Sequence, residues 1–289
     1  MSVTVVVTGA SGFIGHHVVE RLRDEGADIV ALEHRWRDRE ELDCRLGRRD
    51  VDRGVHLGWY VAPSDYLHAR EANLRALADS LDLVEALAAR RCRHLVVAGT
   101  SAEYAPSERP ITEDDLVRPR SAYGASKAAL ATLLNSTWRP PGLRVAWARL
   151  FNITGPGEHP DRLLPWVTRS MLAGRTVDLS PGDQVRDFLD VRDVAAALTA
   201  LSASDADGAF NVCSGRGVTL RELLTGLAAL VQGEALLEFG ARPIPGGEPM
   251  VVVGDNTRLI RATGWQPRIG VEAMLGSVVE WWSGDERPV

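Results

Sequence analysis

A chain of 289 residues, 45% hydrophobic and 25% charged, has an ordinary globular balance. Its length suits one large α/β unit or a nucleotide-binding domain with a smaller companion. A formal net charge of -6 provides no global positive field, which excludes nucleic acid and anionic membranes as electrostatic partners. Cys44, Cys92 and Cys213 lie far apart, so neither a disulfide framework nor a CxxC metal site is expected, and no metal is called for. Met1 leads straight into the apolar run at 3–7 with no basic or long apolar leader. Neither secretion nor a membrane span is expected, and the cytoplasm is the expected compartment.

In chain order, residues 3–7 are β-branched and stop at Thr8-Gly9, as in a parallel strand buried on both faces. Helical spacing runs from 14 to 23 and closes at Gly26, and 28–32 is again strand-like. This strand-loop-helix-strand order is a βαβ unit, which implies a parallel sheet. Residues 54–57 are a brief apolar run, 72–89 are helical, and 94–98 form a strand ending at Gly99-Thr100. A helix over 121–137 and a strand over 144–150 follow. Pro, Gly and short elements dominate 155–182 and 240–254. The expected fold is α/β, a Rossmann-type doubly wound parallel sheet with a smaller C-terminal substrate-binding lobe. The sheet domain takes residues 1–154, with 186–200 returning to it; the lobe takes 155–185 and 201–289. No internal repeat or low-complexity tract interrupts this order.

Residues 8–15, Thr-Gly-Ala-Ser-Gly-Phe-Ile-Gly, place a GxxGxxG loop between the first strand and the first helix. Gly9 can make the tight turn, Gly12 lacks the Cβ that would block a pyrophosphate, and Gly15 permits close helix–strand packing. The helix N-terminus beyond Ser11, at Phe13 and Ile14, offers free N–H groups and a positive dipole end. A dinucleotide is the expected cofactor. Glu33, after the second strand, can accept hydrogen bonds from ribose hydroxyls and favours NAD, whereas His34, Arg35 and Arg37 could pair with the 2′-phosphate of NADP.

Tyr123 and Lys127 are four apart on an expected helix and so share a face. An ammonium beside a phenol favours the phenolate and should lower the Tyr123 pKa toward neutrality. Thr100, just past a strand, can share a hydrogen bond with the same substrate oxygen. Together they offer a proton donor/acceptor, its tuner and a positioning hydroxyl at one carbonyl or carbinol.

With these motifs in place the chain resembles the extended short-chain dehydrogenase/reductases, also called NAD-dependent epimerase/dehydratases. The resemblance is carried by TGASGFIG (8–15), HLGW (56–59), GTSAEY (99–104), YGASK (123–127), RLFNITGPGEHP (149–160) and QVRDFLDVRDVA (184–195). It implies Tyr123 as general acid/base, Lys127 as its electrostatic partner and a holder of the nicotinamide ribose, and Thr100 with Ser101 as helpers. Leu57 and Gly58 would line the cofactor, and Asn73 would support the active-site helix beside it. Ala102, Asn152, Arg186 and Glu248 would face a nucleotide-sugar substrate, with dTDP as the expected nucleotide; the Arg186 fork suits a diphosphate. A homodimer through the helices carrying residues 72–89 and Tyr123 is a further implication.

Three departures from the family pattern bear on the chemistry. The dehydratase carboxylates one and two residues after the threonine are replaced by Ser101 and Ala102; Glu103, one further on, is expected to point away, so dehydration is not expected. The segment between Glu33 and His56 is short, showing no clear third strand and offering only Asp50 and Asp52 as adenine contacts. PGGE (245–248) has Pro245 where an arginine is common, and Arg242 could substitute. His159 reads as a loop residue, and Trp59 as core or as an apolar wall against a deoxysugar. What remains needs one hydride and one proton, as in a nucleotide-sugar 4-ketoreductase or a 4-epimerase; a non-catalytic dinucleotide sensor is the alternative of another class.

Overall fold

The computed structural model describes residues 2–32 and 35–284. The first half contains β1 (Thr4–Thr8), α1 (Phe13–Asp24), β2 (Asp28–Leu32), α2 (Arg39–Leu46), β3 (Arg53–His56), α3 (Arg70–Ala88), β4 (His94–Thr100), α4 (Ala122–Leu134) and β5 (Arg144–Leu150). The second half opens with β6 (Asn152–Thr154), α5 (Leu163–Leu172), β7 (Val177–Leu179), β8 (Val185–Arg186), β9 (Phe188–Asp190), α6 (Val191–Ala203) and β10 (Gly208–Val212). It closes with β11 (Val218–Thr219), α7 (Leu220–Val231), β12 (Leu237–Phe239), β13 (Val251–Val252), α8 (Thr257–Thr263) and α9 (Val271–Ser283).

Six parallel strands form the main sheet in the order β10-β5-β4-β3-β1-β2. Val5 and Val7 of β1 join one core with Val18, Leu22, Leu198 and Leu201 of α1 and α6. Val6 joins the opposite core with Leu42, Leu83, Leu87 and Leu130 of α2, α3 and α4. Successive side chains are thus buried on both faces, which is why the strand reads as an unbroken apolar run. The chain leaves β1 toward β2 on one side and returns as β3 on the other. A crevice therefore opens beyond the carboxyl ends of β1 and β3, the usual ligand position in such sheets.

The lobe has its own core, with Leu164 and Val167 of α5, Leu223 and Leu227 of α7, and Leu275 and Val278 of α9. Its strands form a three-stranded sheet, β11-β8-β13, and a pair, β12-β7. No described helix is long and apolar enough to cross a membrane.

The edge strand of the main sheet is β10, while β9 pairs with β6 in a separate ribbon and α6 of the 186–200 segment packs against the sheet. Phe210 and Val212, with Leu259 of α8 and Trp265 beyond it, pack in the same core as Val5, so parts of 201–289 belong to the sheet domain. The third strand, hidden in the sequence, is β3, and no described strand lies outside β2; residues 39–46 form α2, capped by Asp38 accepting from Glu41 N at 2.9 Å.

Asp50 and Asp52 are also corrected. Asp52 Oδ2 accepts from Thr4 N at 2.8 Å and Asp50 pairs with Arg91 at 3.6 Å. Both flank the amino ends of strands, opposite the glycine loop, and cannot meet an adenine there.

Gly9 has φ +65, and a Cβ on Gly15 would run into its carbonyl. Gly15→Ala should therefore cost about 1–3 kcal/mol of unfolding free energy through overpacking, measured by urea denaturation. An unchanged midpoint would contradict this packing.

Candidate active site

Ser121 caps α4 by accepting from Gly124 N at 3.1 Å. A Cβ at Gly124 would strike the Ala102 carbonyl, so glycine lets α4 lie directly on the 101–103 turn. The same helix is tied to the loop before α3, where Tyr123 N donates to Leu67 O at 3.2 Å. One turn further, Lys127 is 2% exposed and its Nζ donates to Ala98 O of β4 at 2.6 Å. Thr100 ends β4, and its side chain favours the ionised form of the Tyr123 phenol. The three expected catalytic residues thus converge, with Ser101 and Ala102 on the adjoining turn.

The electrostatics differ from expectation in direction. Burial pushes the Tyr123 phenol above its ordinary value, Tyr66 adds to this, and the Thr100 side chain opposes it. Burial also brings the Lys127 ammonium down to about 7, with Glu103 opposing. Lys127 Nζ lies 6.0 Å from the Tyr123 ring centroid, and among protein groups alone desolvation outweighs the attraction between ammonium and phenolate.

Aromatic rings surround the phenol. Trp59 and Tyr66 stand edge-on to Tyr123 at 6.4 and 5.1 Å between centroids. Arg162 lies 4.9 Å from the Tyr66 ring, with Nη1 3.4 Å from its hydroxyl and Nη2 3.5 Å from Val61 O. It bridges the loop after β3 and the start of α5. Sequence reasoning missed Tyr66 and Arg162, which sit in loops without motif spacing.

Glu103 turns inward, as expected, with no exposed surface. It accepts from Thr100 N at 2.8 Å, Trp147 Nε1 at 3.0 Å and Arg149 Nε at 2.7 Å. Its work is to fix the Thr100 backbone from below. Removing one partner of a buried charge pair strands the other. Glu103→Ala should cost about 3–5 kcal/mol in denaturant unfolding; a loss below about 1 kcal/mol would contradict a buried pair.

Across the crevice, Thr8 Oγ1 accepts from Leu57 N and Gly58 N at 3.1 and 3.0 Å and lies 2.6 Å from His56 Nδ1. His56 Nε2 is 2.8 Å from Ser80 Oγ, and burial holds this ring near pKa 3 and therefore neutral. This buried clamp keeps the HLG segment beside the glycine loop. Ser11 and Gly12 are exposed, Phe13 and Ile14 half-buried, and the N-cap Gly12 has no side chain to block the first N–H groups of α1. A cradle that Cβ atoms at Gly12 and Gly15 would crowd fits a pyrophosphate.

Other expected contacts are more committed to the protein. Glu33 and His34 lie outside the described residues. Arg35 pairs with Asp79 at 2.5 Å and Arg37 with Glu41 at 3.0 Å, so each of these candidates for a 2′-phosphate already holds a carboxylate. Asn73 is fully buried and acts indirectly: Nδ2 donates to Tyr66 O and Ala69 O, and Oδ1 accepts from Trp59 Nε1. Asn152 Nδ2 donates to Asp187 O at 3.1 Å. Arg186 and Glu248 meet each other at 2.6 Å, and Arg242 lies 5.9 Å from the Trp166 ring. His159 is an exposed loop residue whose Nδ1 accepts from Asp161 N.

Glu158 is 8% exposed, bonded to Thr154 Oγ1 at 2.5 Å, and raised to about 7 by burial. A carboxyl raised on folding gives stability that is full below its unfolded pKa and lost as pH climbs through 7. Glu158→Gln should therefore match wild type in Tm at pH 5 and exceed it at pH 8, by roughly 2 kcal/mol equivalent. Equal Tm values at pH 8 would contradict the raised carboxyl.

The sequence matches the NAD dependent epimerase/dehydratase family over residues 5–213. It is 30% identical to the GDP-6-deoxy-D-mannose reductase of Pseudomonas aeruginosa, an alignment spanning 99% of each chain. The solved structure of RMD from Pseudomonas aeruginosa complexed with NADPH superposes with TM-score 0.84 at 29% identity, covering 97% of this chain and 99% of that one. The UDP-glucose 4-epimerase of Thermus thermophilus, solved in complex with NAD, gives 0.84 at 27% identity, covering 98% and 100%. With a glycine cradle facing a Thr-Tyr-Lys cluster and the family match covering most of its length, this chain belongs to the NAD dependent epimerase/dehydratase family.

Proposed function

We propose that the chain is an NAD(P)-dependent oxidoreductase acting at C4 of a nucleotide sugar, as a nucleoside-diphospho-4-keto-6-deoxyhexose 4-ketoreductase. The observation that carries this reading is the convergence of Thr100 at the end of β4 with Tyr123 and buried Lys127 on α4, on a turn where Ser101 and Ala102 offer no carboxylate for dehydration. Similarity to a GDP-6-deoxy-D-mannose reductase supports it. Thymidine, the nucleotide expected from the sequence, and guanosine, suggested by that relative, are separated by assay.

In this reading Gly9, Gly12 and Gly15 hold the pyrophosphate, and Leu57, Gly58 and Lys127 border the nicotinamide half. The chemistry such a dinucleotide supplies is hydride exchange with a sugar carbon. Tyr123 gives its proton to the sugar oxygen as the carbonyl becomes a carbinol. A phenol held protonated by burial is ready for that direction of transfer. Thr100 holds the same oxygen in line. Arg186 faces the substrate diphosphate by exchanging its bond to Glu248, and Asn152 borders the sugar.

The second reading is a 4-epimerase that retains its dinucleotide, favoured by similarity to the Thermus enzyme bound to NAD. A homodimer through α3 and α4 fits either reading, since Leu74 on α3 is 62% exposed. Purified protein would be given NADH or NADPH with dTDP- or GDP-linked 4-keto-6-deoxyhexose. Stoichiometric loss of the reduced-nicotinamide absorbance is expected, and Tyr123→Phe should slow it by about 10²–10⁴-fold while binding the dinucleotide as before. Sugar inversion without net oxidation would favour the epimerase, and undiminished turnover by Tyr123→Phe would reject the proton donor.

A further inference from the structure

Lys127 is the only lysine in the chain; every other residue of the Lys+Arg set is arginine. Its Nζ sits 3.8 Å from the centroid of the Trp59 ring, within the range of a cation–π contact. The ammonium carries three N–H groups. One goes to Ala98 O, and the indole face supplies electron density where a hydrating water would otherwise stand. The indole is itself fixed, since Nε1 donates to Asn73 Oδ1 at 2.8 Å. The Asn73 amide is fully buried and tied by Nδ2 to Tyr66 O and Ala69 O at 2.7 and 2.9 Å.

We propose that Trp59 is the positioning residue for Lys127, its indole face being the seat that holds the ammonium charged and aimed in a dry pocket. The chain of support runs from the Asn73 amide to the Trp59 ring to the Lys127 ammonium. This deepens the catalytic reading above and rests on Lys127 serving the dinucleotide and the phenol. It accounts for a tryptophan directly after His-Leu-Gly, and for a buried asparagine whose amide is bonded to Trp59, Tyr66 and Ala69. The geometry explains how a poorly hydrated ammonium is retained: a desolvated ring face attracts a cation more strongly than one in water.

Other groups facing the amine are Glu103 from the turn after β4, Tyr123 from its own helix and His56 from β3. Glu103 favours the charged form, and buried His56 stays neutral. Removal of the indole takes away support for the ammonium, so the Lys127 midpoint must fall.

A single lysine makes the test direct. The full chain, labelled with ¹³C,¹⁵N-lysine and free of added cofactor and sugar, yields one lysine side-chain signal. In wild type its ε-methylene protons should lie upfield of the random-coil position because the adjoining Nζ sits over the ring. Trp59→Leu should abolish that displacement and lower the titration midpoint by about one pH unit, equivalent to roughly 1.4 kcal/mol. Trp59→Phe, which keeps an aromatic face, should restore part of both. With NAD(P)H and keto-sugar, the leucine variant should lose kcat with its pH profile displaced to lower pH and little change in sugar KM. A leucine variant with wild-type shift and midpoint overturns the proposal. If that variant fails to fold, the wild-type signal and Trp59→Phe decide: an undisplaced wild-type methylene, or a phenylalanine variant identical to wild type, overturns it. Because the titration needs neither cofactor nor substrate, failure of the ketoreductase assay leaves this result standing, and the reverse holds.

Discussion

The hydrogen bond from the Lys127 ammonium to the Ala98 carbonyl, 2.6 Å long and wholly buried, ties the middle of α4 to the end of β4. Two residues after Ala98 the strand reaches Thr100, and one turn before Lys127 the helix presents Tyr123. That one cross-tie therefore sets the separation of hydroxyl, phenol and amine. Gly124 makes it possible, since a side chain there would lift the helix off the Ala102 carbonyl. The lysine is costly to bury, and its midpoint near 7 records the cost. The structure bears it because a misplaced ammonium would lose the carbonyl and the indole face together.

Around that tie the site is assembled from both directions. From below, Glu103 grips the Thr100 amide while bonding Trp147 and Arg149, so the strand end is held by a buried ion pair rather than by loop packing. From across the crevice, Thr8 and His56 bind the HLG segment against the glycine turn. Neither group needs to touch a ligand. One fixes the backbone of Thr100 and the other fixes the HLG segment beside the glycine turn.

The sheet was legible in the sequence where the signal is local. The β-branched run at β1, the glycine spacing of 9, 12 and 15, and the full extent of β5 need no distant partner to be recognised. Tyr123 and Lys127 were legible because helical periodicity puts them on one face. What escaped depends on residues far apart in the chain. Glu103 meets Arg149 forty-six positions away and His56 meets Thr8 forty-eight away, and no periodicity encodes such pairs. β10 reads as part of the lobe because the sheet edge it completes is built by β5 much earlier in the chain. The direction of the Tyr123 shift is hidden for a related reason: helical spacing shows that an ammonium is near, while the burial that outweighs it is set by tertiary packing.

The central claim is that the amine of Lys127 and the glycine cradle serve one dinucleotide. The most direct measurement uses the lysine-labelled protein saturated with NAD(P)⁺ and records isotope-filtered nuclear Overhauser effects from the single lysine ε-methylene. Cross-peaks to the protons of the nicotinamide ribose are predicted. A saturated complex in which the ε-methylene shows no contact with the bound dinucleotide would contradict the shared site.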